Sequence, residues 1–244
     1  MSTNRVTGGT REQLRRLQEQ QAQRRHDRKL LVVAALVLVL VVVGGGIGLQ
    51  MWRTSRSPSA PAGTSSSFAP VTIADGRPIV LGRASAPVKV QLYEDFHCSH
   101  CQEFEERLGP TLTAEQDAGR VAVELYPMSF IDAGSAAAAN AMACAAESGF
   151  GQAYYLGLFT NANLQWSDAQ LVELAGLVAT PVPAGFDRCV TTKAHQPWVD
   201  SINTAAGANG VTGTPTLFVQ GAKVDTEITA ADLKAALDRA VGAR

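Results

Sequence analysis

The sequence has little cysteine: four residues in 244, of which only Cys98 and Cys101 are closely spaced. A structural zinc site takes four Cys or His ligands, and no second closely spaced pair completes a set with His97 and His100. Covalent haem attachment requires a histidine directly after the second cysteine, where this chain has Gln102. We therefore expect no metal, no haem and no other cofactor at this pair.

Positive charge is scarce in the larger part of the chain. From Ser57 to the C-terminus there are eleven Lys and Arg against nineteen Asp and Glu. A nucleic-acid-binding domain carries a basic patch, so we expect no nucleic-acid partner. Residues 1–29 have the opposite balance, with eight Lys and Arg against three Asp and Glu.

Charged residues are absent from Leu30 to Leu49. As a helix this apolar run would span about 30 Å, the thickness of a bilayer core. The basic flank places residues 1–29 in the cytoplasm and the remainder outside. A cleaved signal peptide is the alternative, but the first A-x-A sequence, Ala60–Ala62, lies well beyond the apolar run. We therefore expect a single-pass cell-membrane protein with a transmembrane helix at residues 30–50.

The closely spaced cysteines follow a predicted strand and begin a predicted helix. The strand is the apolar, partly alternating run from Val88 to Phe96, and good helix formers follow Gln102. Cys98 is thereby placed at a helix N-terminus, whose partial positive charge favours a thiolate. His100 would add to this effect when it is protonated or donates a hydrogen bond. We predict a redox pair in which Cys98 is the exposed nucleophile and Cys101, one turn deeper, resolves the mixed disulfide.

Three more polar residues lie just before the pair. For His97 we expect a surface position at the end of the strand. Glu94 and Asp95 could relay protons to a buried thiol or oppose thiolate formation. An exposed position at the end of the strand is equally compatible with either carboxyl.

The other two cysteines, Cys144 and Cys189, lie 45 positions apart in a region of predicted helices. Four cysteines allow three pairings, and the adjacency of Cys98 and Cys101 leaves these two for each other. An extracytoplasmic compartment permits such a bridge, which would contribute roughly 4 kcal/mol to stability. Two buried free thiols are the alternative.

The remaining patterns predict an α/β domain interrupted by helices. Pro78–Leu81, Val121–Tyr126 and Thr216–Gln220 are predicted strands, and the strand–helix–strand order around Cys98 favours a parallel pairing. From Asp132 to about Ala208 the chain has the pattern of successive helices. We divide the chain into a basic tail (1–29), a transmembrane helix (30–50), a flexible linker (51–70), an α/β domain (71–131 and 209–244) and a helical insertion (132–208).

Together these features resemble the DsbA-like thiol oxidoreductases, most of all the membrane-anchored actinobacterial members. The resemblance rests on the segments APVKVQLYEDFHCSHCQEFE and GVTGTPTLFVQG and on the alanine-rich segment after Pro127, and it covers the chain from Val71 to the C-terminus. It implies a thioredoxin-like fold with an inserted all-helical domain. It also implies that Cys98 attacks and Cys101 resolves.

The resemblance also bears on the segment around Pro215. On the residues alone, Pro215 could be a trans proline or a cis proline in a tight turn. The resemblance implies a cis proline that faces the active disulfide, with Thr214 and Pro215 binding substrate backbone. We expect Ser99 to bind substrate as well. Ser99 stands where the family most often has proline, which leaves the redox potential open, and Leu92 stands where some members keep a buried acid.

The function implied is a thiol:disulfide oxidase that introduces disulfides into reduced secreted or cell-envelope proteins. The resemblance further implies reoxidation by a quinone-linked membrane partner of the DsbB or VKOR type, and we expect a monomer. Two alternatives stay open. One is a reductase or isomerase of the same fold, and the other is a non-catalytic binding or chaperone module whose C-x-x-C is a structural bridge.

Overall fold

A computed structural model describes residues 31–49, 51, 56–62 and 68–243. The chain divides into two compact units, Met1–Arg53 and Thr54–Arg244. In the first unit, helix α1 (Leu31–Leu49) has a mean hydropathy of 2.8 and no buried residues. By length and composition α1 is a candidate membrane span, a property that signal sequences share. The predicted basic tail lies outside the described residues.

A five-stranded mixed sheet forms the centre of the second unit. Its strands are β1 (Ile79–Gly82), β2 (Val88–Asp95), β3 (Val121–Met128), β4 (Thr216–Val219) and β5 (Ala222–Val224), in the order β1-β3-β2-β4-β5. β2 and β3 pair in parallel, as predicted, and the other neighbours are antiparallel. β2 occupies the middle of the sheet, and six of its eight residues are buried.

Seven helices of the second unit are described. They are α2 (Ser99–Asp117) after β2, then α3 (Ala133–Glu147), α4 (Gly151–Thr160), α5 (Asp168–Val178), α6 (Phe186–Thr191) and α7 (Gln196–Ala208) between β3 and β4, and finally α8 (Ala230–Gly242). Eleven of the fifteen residues of α3 are buried, because its many small alanine side chains let neighbouring elements approach closely. Two helices begin at capping boxes, Ser167 with Gln170 and Thr229 with Asp232.

Helix α2 continues through Pro110. Proline removes the hydrogen bond to the carbonyl of Glu106. Both residues are exposed, so water can satisfy that carbonyl. The helix therefore tolerates this proline.

Two tertiary links support the helical region. A disulfide joins Cys144 of α3 to Cys189 of α6. Within the predicted linker, the backbone N–H of Ser59 donates to Asn161 Oδ1 (2.8 Å), and Asn161 Nδ2 donates back to the Ser59 carbonyl (2.8 Å). This part of the linker is thus bonded to the end of α4.

Candidate active site

The two closely spaced cysteines lie where β2 passes into α2. Cys98 is the N-cap of α2, and its backbone N–H donates to the carbonyl of Asp95 at 2.9 Å. Both Cys98 and Cys101 are free thiols in this structure. Cys98 is half-buried, whereas Cys101 is fully buried on the inner face of the helix. The start of α2 therefore leaves Cys98 partly accessible to solvent and keeps Cys101 buried.

The surroundings of Cys98 favour its thiolate. Its pKa falls from an ordinary 9.0 to about 5, mainly because the Cys101 thiol donates a hydrogen bond to it. Partial burial opposes the shift, while the Thr214 side chain and the backbone N–H groups of Cys101 and His100 add to it. Cys98 is consequently ionised at neutral pH, as a nucleophilic thiol requires.

Cys101 has the opposite environment. Burial raises its pKa far above the ordinary value, and the neighbouring Cys98 and the negative charge of Glu94 raise it further. A proton therefore stays on Cys101 while Cys98 is ionised. This asymmetry makes Cys98 the better leaving group in thiol–disulfide exchange.

The Thr214–Pro215 peptide bond is cis and lies directly before β4. The carbonyl oxygen of Thr214 is 3.5 Å from Cys98 Sγ, which donates to it when protonated. The turn is closed by Thr216 Oγ1, which donates to the Gly213 carbonyl at 2.7 Å. Thr214 therefore lies beside the nucleophilic sulfur.

The middle dipeptide of C-S-H-C points into solvent. Ser99 is exposed at the first position of α2. The His100 side chain is 74% exposed, with Nδ1 3.6 Å from Glu103 Oε2. His100 reaches the Cys98 thiolate through its backbone N–H.

A pair of carboxyl groups lies buried near the cysteines. Glu94 is fully buried, and its Oε2 accepts a hydrogen bond from the Tyr155 hydroxyl at 2.5 Å. Glu94 Oε1 and Glu105 Oε1 are buried without a hydrogen-bond partner among the described residues. Burial raises the pKa of Glu94 well above its ordinary value and that of Glu105 to about 7. The pair can therefore retain a proton near neutral pH, close to Cys101.

Asp95 is also fully buried, so an exposed position is excluded for both strand-end acids. Its Oδ1 accepts from Ser135 Oγ (2.7 Å) and from the backbone N–H of His97 (2.9 Å). Burial raises the pKa of Asp95, and these hydrogen bonds oppose the rise. Asp95 joins the end of β2 to the first turn of α3.

The prediction of a surface position for His97 is wrong. Its side chain is only 5% exposed, and Nδ1 lies 2.7 Å from Oδ1 of Asp132, the N-cap of α3. The ring packs against Gly134, where a Cβ atom would come within 2.2 Å of His97 Cε1. A glycine in the first turn of α3 thus makes room for the ring.

Sequence reasoning did not find Glu105, Tyr155 or Asp132. Glu105 has a usable signal, because it follows Cys101 by four positions and therefore shares its helix face. Tyr155 and Asp132 reach the site through tertiary contacts only.

One group of potential metal ligands is found among the described residues: Cys144, Cys189 and His195, whose ligand atoms lie within 4.8 Å of one another. The two cysteines form a disulfide, and metal binding requires thiolates. This group is therefore not a metal site in the oxidised protein.

Comparison with known proteins identifies the family. A family model described as thioredoxin matches residues 74–239. No curated protein sequence matches the chain. Similar solved structures include a disulfide bond oxidoreductase (DsbG) from Mycobacterium tuberculosis (25% identity, covering 70% of this chain and 90% of that one, TM-score 0.60) and DsbA from the same organism (25% identity, 68% and 93%, TM-score 0.59). Another is the thiol-disulfide oxidoreductase MdbA from Actinomyces oris (24% identity, 65% and 83%, TM-score 0.57).

These matches confirm the predicted thioredoxin-like α/β fold and the resemblance to DsbA-like proteins. The family match covers both the C-x-x-C helix and the segment around Pro215. The chain belongs to the thioredoxin family, and its structural neighbours are thiol-disulfide oxidoreductases of the DsbA and MdbA type.

Proposed function

We propose that this protein is an extracytoplasmic thiol:disulfide oxidase that introduces disulfides into reduced secreted or cell-envelope proteins through the Cys98–Cys101 pair. The observation that carries the proposal is the opposite perturbation of the two thiols. The pKa of Cys98 falls to about 5, and that of Cys101 rises because the residue is buried. Stabilising the thiolate stabilises the dithiol form, and a more stable dithiol form makes the disulfide a stronger oxidant.

The reaction follows from this asymmetry. A substrate thiolate attacks Cys98 Sγ of the oxidised enzyme, the bond to Cys101 breaks, and Cys101 leaves as a thiolate and takes up a proton. A second substrate thiolate then attacks the substrate sulfur of the mixed disulfide and releases Cys98 as its stable thiolate. Two electrons pass from two substrate thiols to the enzyme.

We assign substrate-backbone contacts to Thr214, Pro215 and the exposed Ser99. The 3.5 Å separation of the Thr214 carbonyl from Cys98 Sγ supports this assignment, because a substrate attached to that sulfur must pass beside it. His100 acts on the thiolate through its backbone N–H. Because the five helices α3 to α7 lie between β3 and β4, we also propose a thioredoxin-like domain at 71–131 and 209–244 and a helical insertion at 132–208.

Helix α1 supports a membrane anchor, and the basic residues before it support a cytoplasmic N-terminus with the catalytic domain outside. An anchored, monomeric enzyme would be reoxidised within or beside the membrane. A quinone-linked partner of the DsbB or VKOR type fits this position.

A reductase or isomerase is the second candidate, because Ser99 lies in the dipeptide between the cysteines, which tunes the redox potential. A non-catalytic module with a structural C-x-x-C bridge is disfavoured, since the Cys98 sulfur is partly accessible and its thiolate is stabilised.

The test uses the full chain in lipid nanodiscs, oxidised and then mixed with a reduced, unfolded protein. The substrate should lose free thiols as the enzyme gains them, and Cys98→Ser should abolish the transfer. Cys101→Ala with an activated disulfide on Cys98 should accumulate a mixed disulfide when the substrate has a single cysteine, because no second substrate thiol can release Cys98. Equal thiol loss with Cys98→Ser would refute the proposal. Rapid rearrangement of a scrambled disulfide protein without net oxidation would favour the isomerase instead.

A further inference from the structure

A second cluster of chemically active side chains lies in the helical region. The disulfide partners Cys144 and Cys189 lie beside His195, and the two sulfur atoms and a ring nitrogen of the histidine fall within 4.8 Å of one another. Cys144 is buried, whereas Cys189 and His195 are partly buried. We call these three residues the Cys2His cluster. The reaction proposed at Cys98 uses none of them.

Helix α3 forms one side of the Cys2His cluster. Asn140, Cys144 and Glu147 are spaced four and three positions apart, so they share one face of the helix. Asn140 is fully buried, and its Nδ2 donates to Cys144 Sγ at 3.9 Å. Its Oδ1 accepts from the backbone N–H of His195 at 2.8 Å. Asn140 therefore fixes the backbone of the histidine and places a hydrogen-bond donor on the sulfur.

Glu147 orients the ring of His195. Glu147 Oε2 lies 3.1 Å from His195 Nε2, and the histidine side chain is 15% exposed. A carboxylate on one ring nitrogen is the usual partner of a metal-ligating histidine, because it fixes the tautomer and the direction of the ring. With Nε2 donating to Glu147, Nδ1 carries the lone pair that a metal ion needs.

We propose that Cys144, Cys189 and His195 bind a zinc ion when the two cysteines are thiols, so that the cluster holds either a metal ion or a disulfide. Two thiolates, one imidazole and a water molecule complete a tetrahedral zinc site, and the thiolates cancel the charge of the ion. Tetrahedral zinc sets such sulfur and nitrogen ligands about 3.5–3.8 Å apart. The three atoms already lie within 4.8 Å, so small side-chain movements bring them to these separations.

The ligand types favour zinc over the other common metals of proteins. Mg²⁺ and Ca²⁺ prefer oxygen ligands, which the Cys2His cluster does not offer. Thiolate and imidazole are the ligands of tetrahedral zinc sites. Zinc also has no redox chemistry of its own, so it binds the thiolates without oxidising them.

Metal and disulfide exclude each other because both use the same two sulfur atoms. A newly made chain carries thiols, and zinc binding replaces their two protons, which pass to solvent. A small disulfide such as oxidised glutathione then takes two electrons from the sulfur atoms and becomes two thiolates, while Cys144 and Cys189 form their bond. The zinc ion leaves with its charge unchanged. This inference does not depend on the oxidase function.

The test uses the full chain in lipid nanodiscs with Cys98→Ser/Cys101→Ser, which removes the other cysteine pair as a competing zinc ligand. The protein is reduced with a phosphine, desalted without metal and titrated with zinc chloride against a chromogenic zinc chelator. The reduced protein should bind one zinc ion per chain, and the disulfide form should bind none. Adding oxidised glutathione to the zinc-bound protein should release zinc as Cys144 and Cys189 form their bridge.

Four variants in this background test the assigned roles. Glu147→Gln should weaken zinc binding by about tenfold, the smaller end of the effect expected when a partner of a metal ligand is changed. His195→Ala removes a ligand itself and should weaken binding further. Glu173→Gln and His100→Ala are the matched controls, because both residues are exposed and lie outside the Cys2His cluster, and both variants should keep the full affinity.

Several results would overturn the inference. One is a reduced protein that has the circular dichroism of the disulfide form and binds no zinc. Another is an unchanged affinity in His195→Ala, which would show that two thiolates alone hold the metal. Zinc that stays bound after the bridge has formed would place the ligands elsewhere. If reduction unfolds the chain, zinc should restore the native spectrum, since metal binding is coupled to folding, and a chain that stays unfolded with zinc would also contradict the proposal.

Discussion

Replacing Cys101 with alanine should raise the pKa of Cys98. The Cys101 thiol is the largest contributor to the low value of about 5. A hydrogen bond to a charged group contributes about 1.5–3 kcal/mol, which corresponds to roughly one to two pKa units. Solvent screens the half-buried sulfur, so we expect the lower end, a pKa near 6. The thiolate-to-thiol ratio at pH 7 would then fall from about 100:1 to about 10:1.

The pH dependence of alkylation measures this pKa. The fully reduced active site is treated with iodoacetamide between pH 3 and 10 (roughly two units below the expected pKa to well above it), and carboxamidomethylated Cys98 is quantified by mass spectrometry. Cys144 and Cys189 do not interfere while they remain in their disulfide. Thr214→Val is the matched comparison, because its side chain contributes less than Cys101 and its removal should raise the pKa by less.

Two outcomes would contradict the reasoning. A pKa near 9 in the unsubstituted protein would show that Cys98 is not activated by its position at the start of α2. An unchanged pKa in Cys101→Ala would show that the stabilisation comes from elsewhere, for instance from the backbone N–H groups alone.

Three further predictions concern the surroundings of the site. Burial raises the pKa of Glu94, so the folded state holds a proton that the unfolded state loses above about pH 4.5. Folding stability therefore falls as the pH rises toward the folded-state pKa. In urea unfolding experiments between pH 5 and 7, Glu94→Gln should reduce this fall by up to about 1.4 kcal/mol per pH unit. The Cys144→Ala/Cys189→Ala variant should lose roughly 4 kcal/mol of unfolding free energy, because the disulfide closes a loop with a sequence separation of 45. A loss below about 1 kcal/mol would argue against this chain-entropy reasoning. Burial works to raise the pKa of Asp132, but the hydrogen bond from His97 helps hold that pKa below its ordinary value. His97→Ala should therefore raise the pKa of Asp132 in an NMR titration. An unchanged pKa of Asp132 would exclude the contact with His97 in solution.

The local features of the site could be predicted from the sequence because their signals are local. An apolar strand followed by C-x-x-C and good helix formers is enough to place Cys98 at a helix N-cap, as the structure has it. The parallel pairing of β2 and β3 follows from the helix between them.

The polar contacts around the pair could not be predicted in the same way. His97 and Asp132 are 35 positions apart, and Glu94 and Tyr155 are 61 apart. A histidine at a strand end is buried only when another element covers it, and a single sequence does not show that α3 does so. Glu94 is buried for a related reason, since α4 brings Tyr155 onto its carboxyl group.

The redox potential of the Cys98–Cys101 pair tests the central claim most directly. The stabilised thiolate predicts a potential at pH 7 well above the value of about −270 mV for thioredoxin and toward the −120 mV or so of DsbA. Because Cys98 is ionised and Cys101 keeps its proton, the dithiol form takes up one proton, and the potential should fall by about 30 mV per pH unit above pH 6. A potential near −270 mV, or a fall of about 59 mV per pH unit through neutral pH, would contradict an oxidase driven by an ionised Cys98.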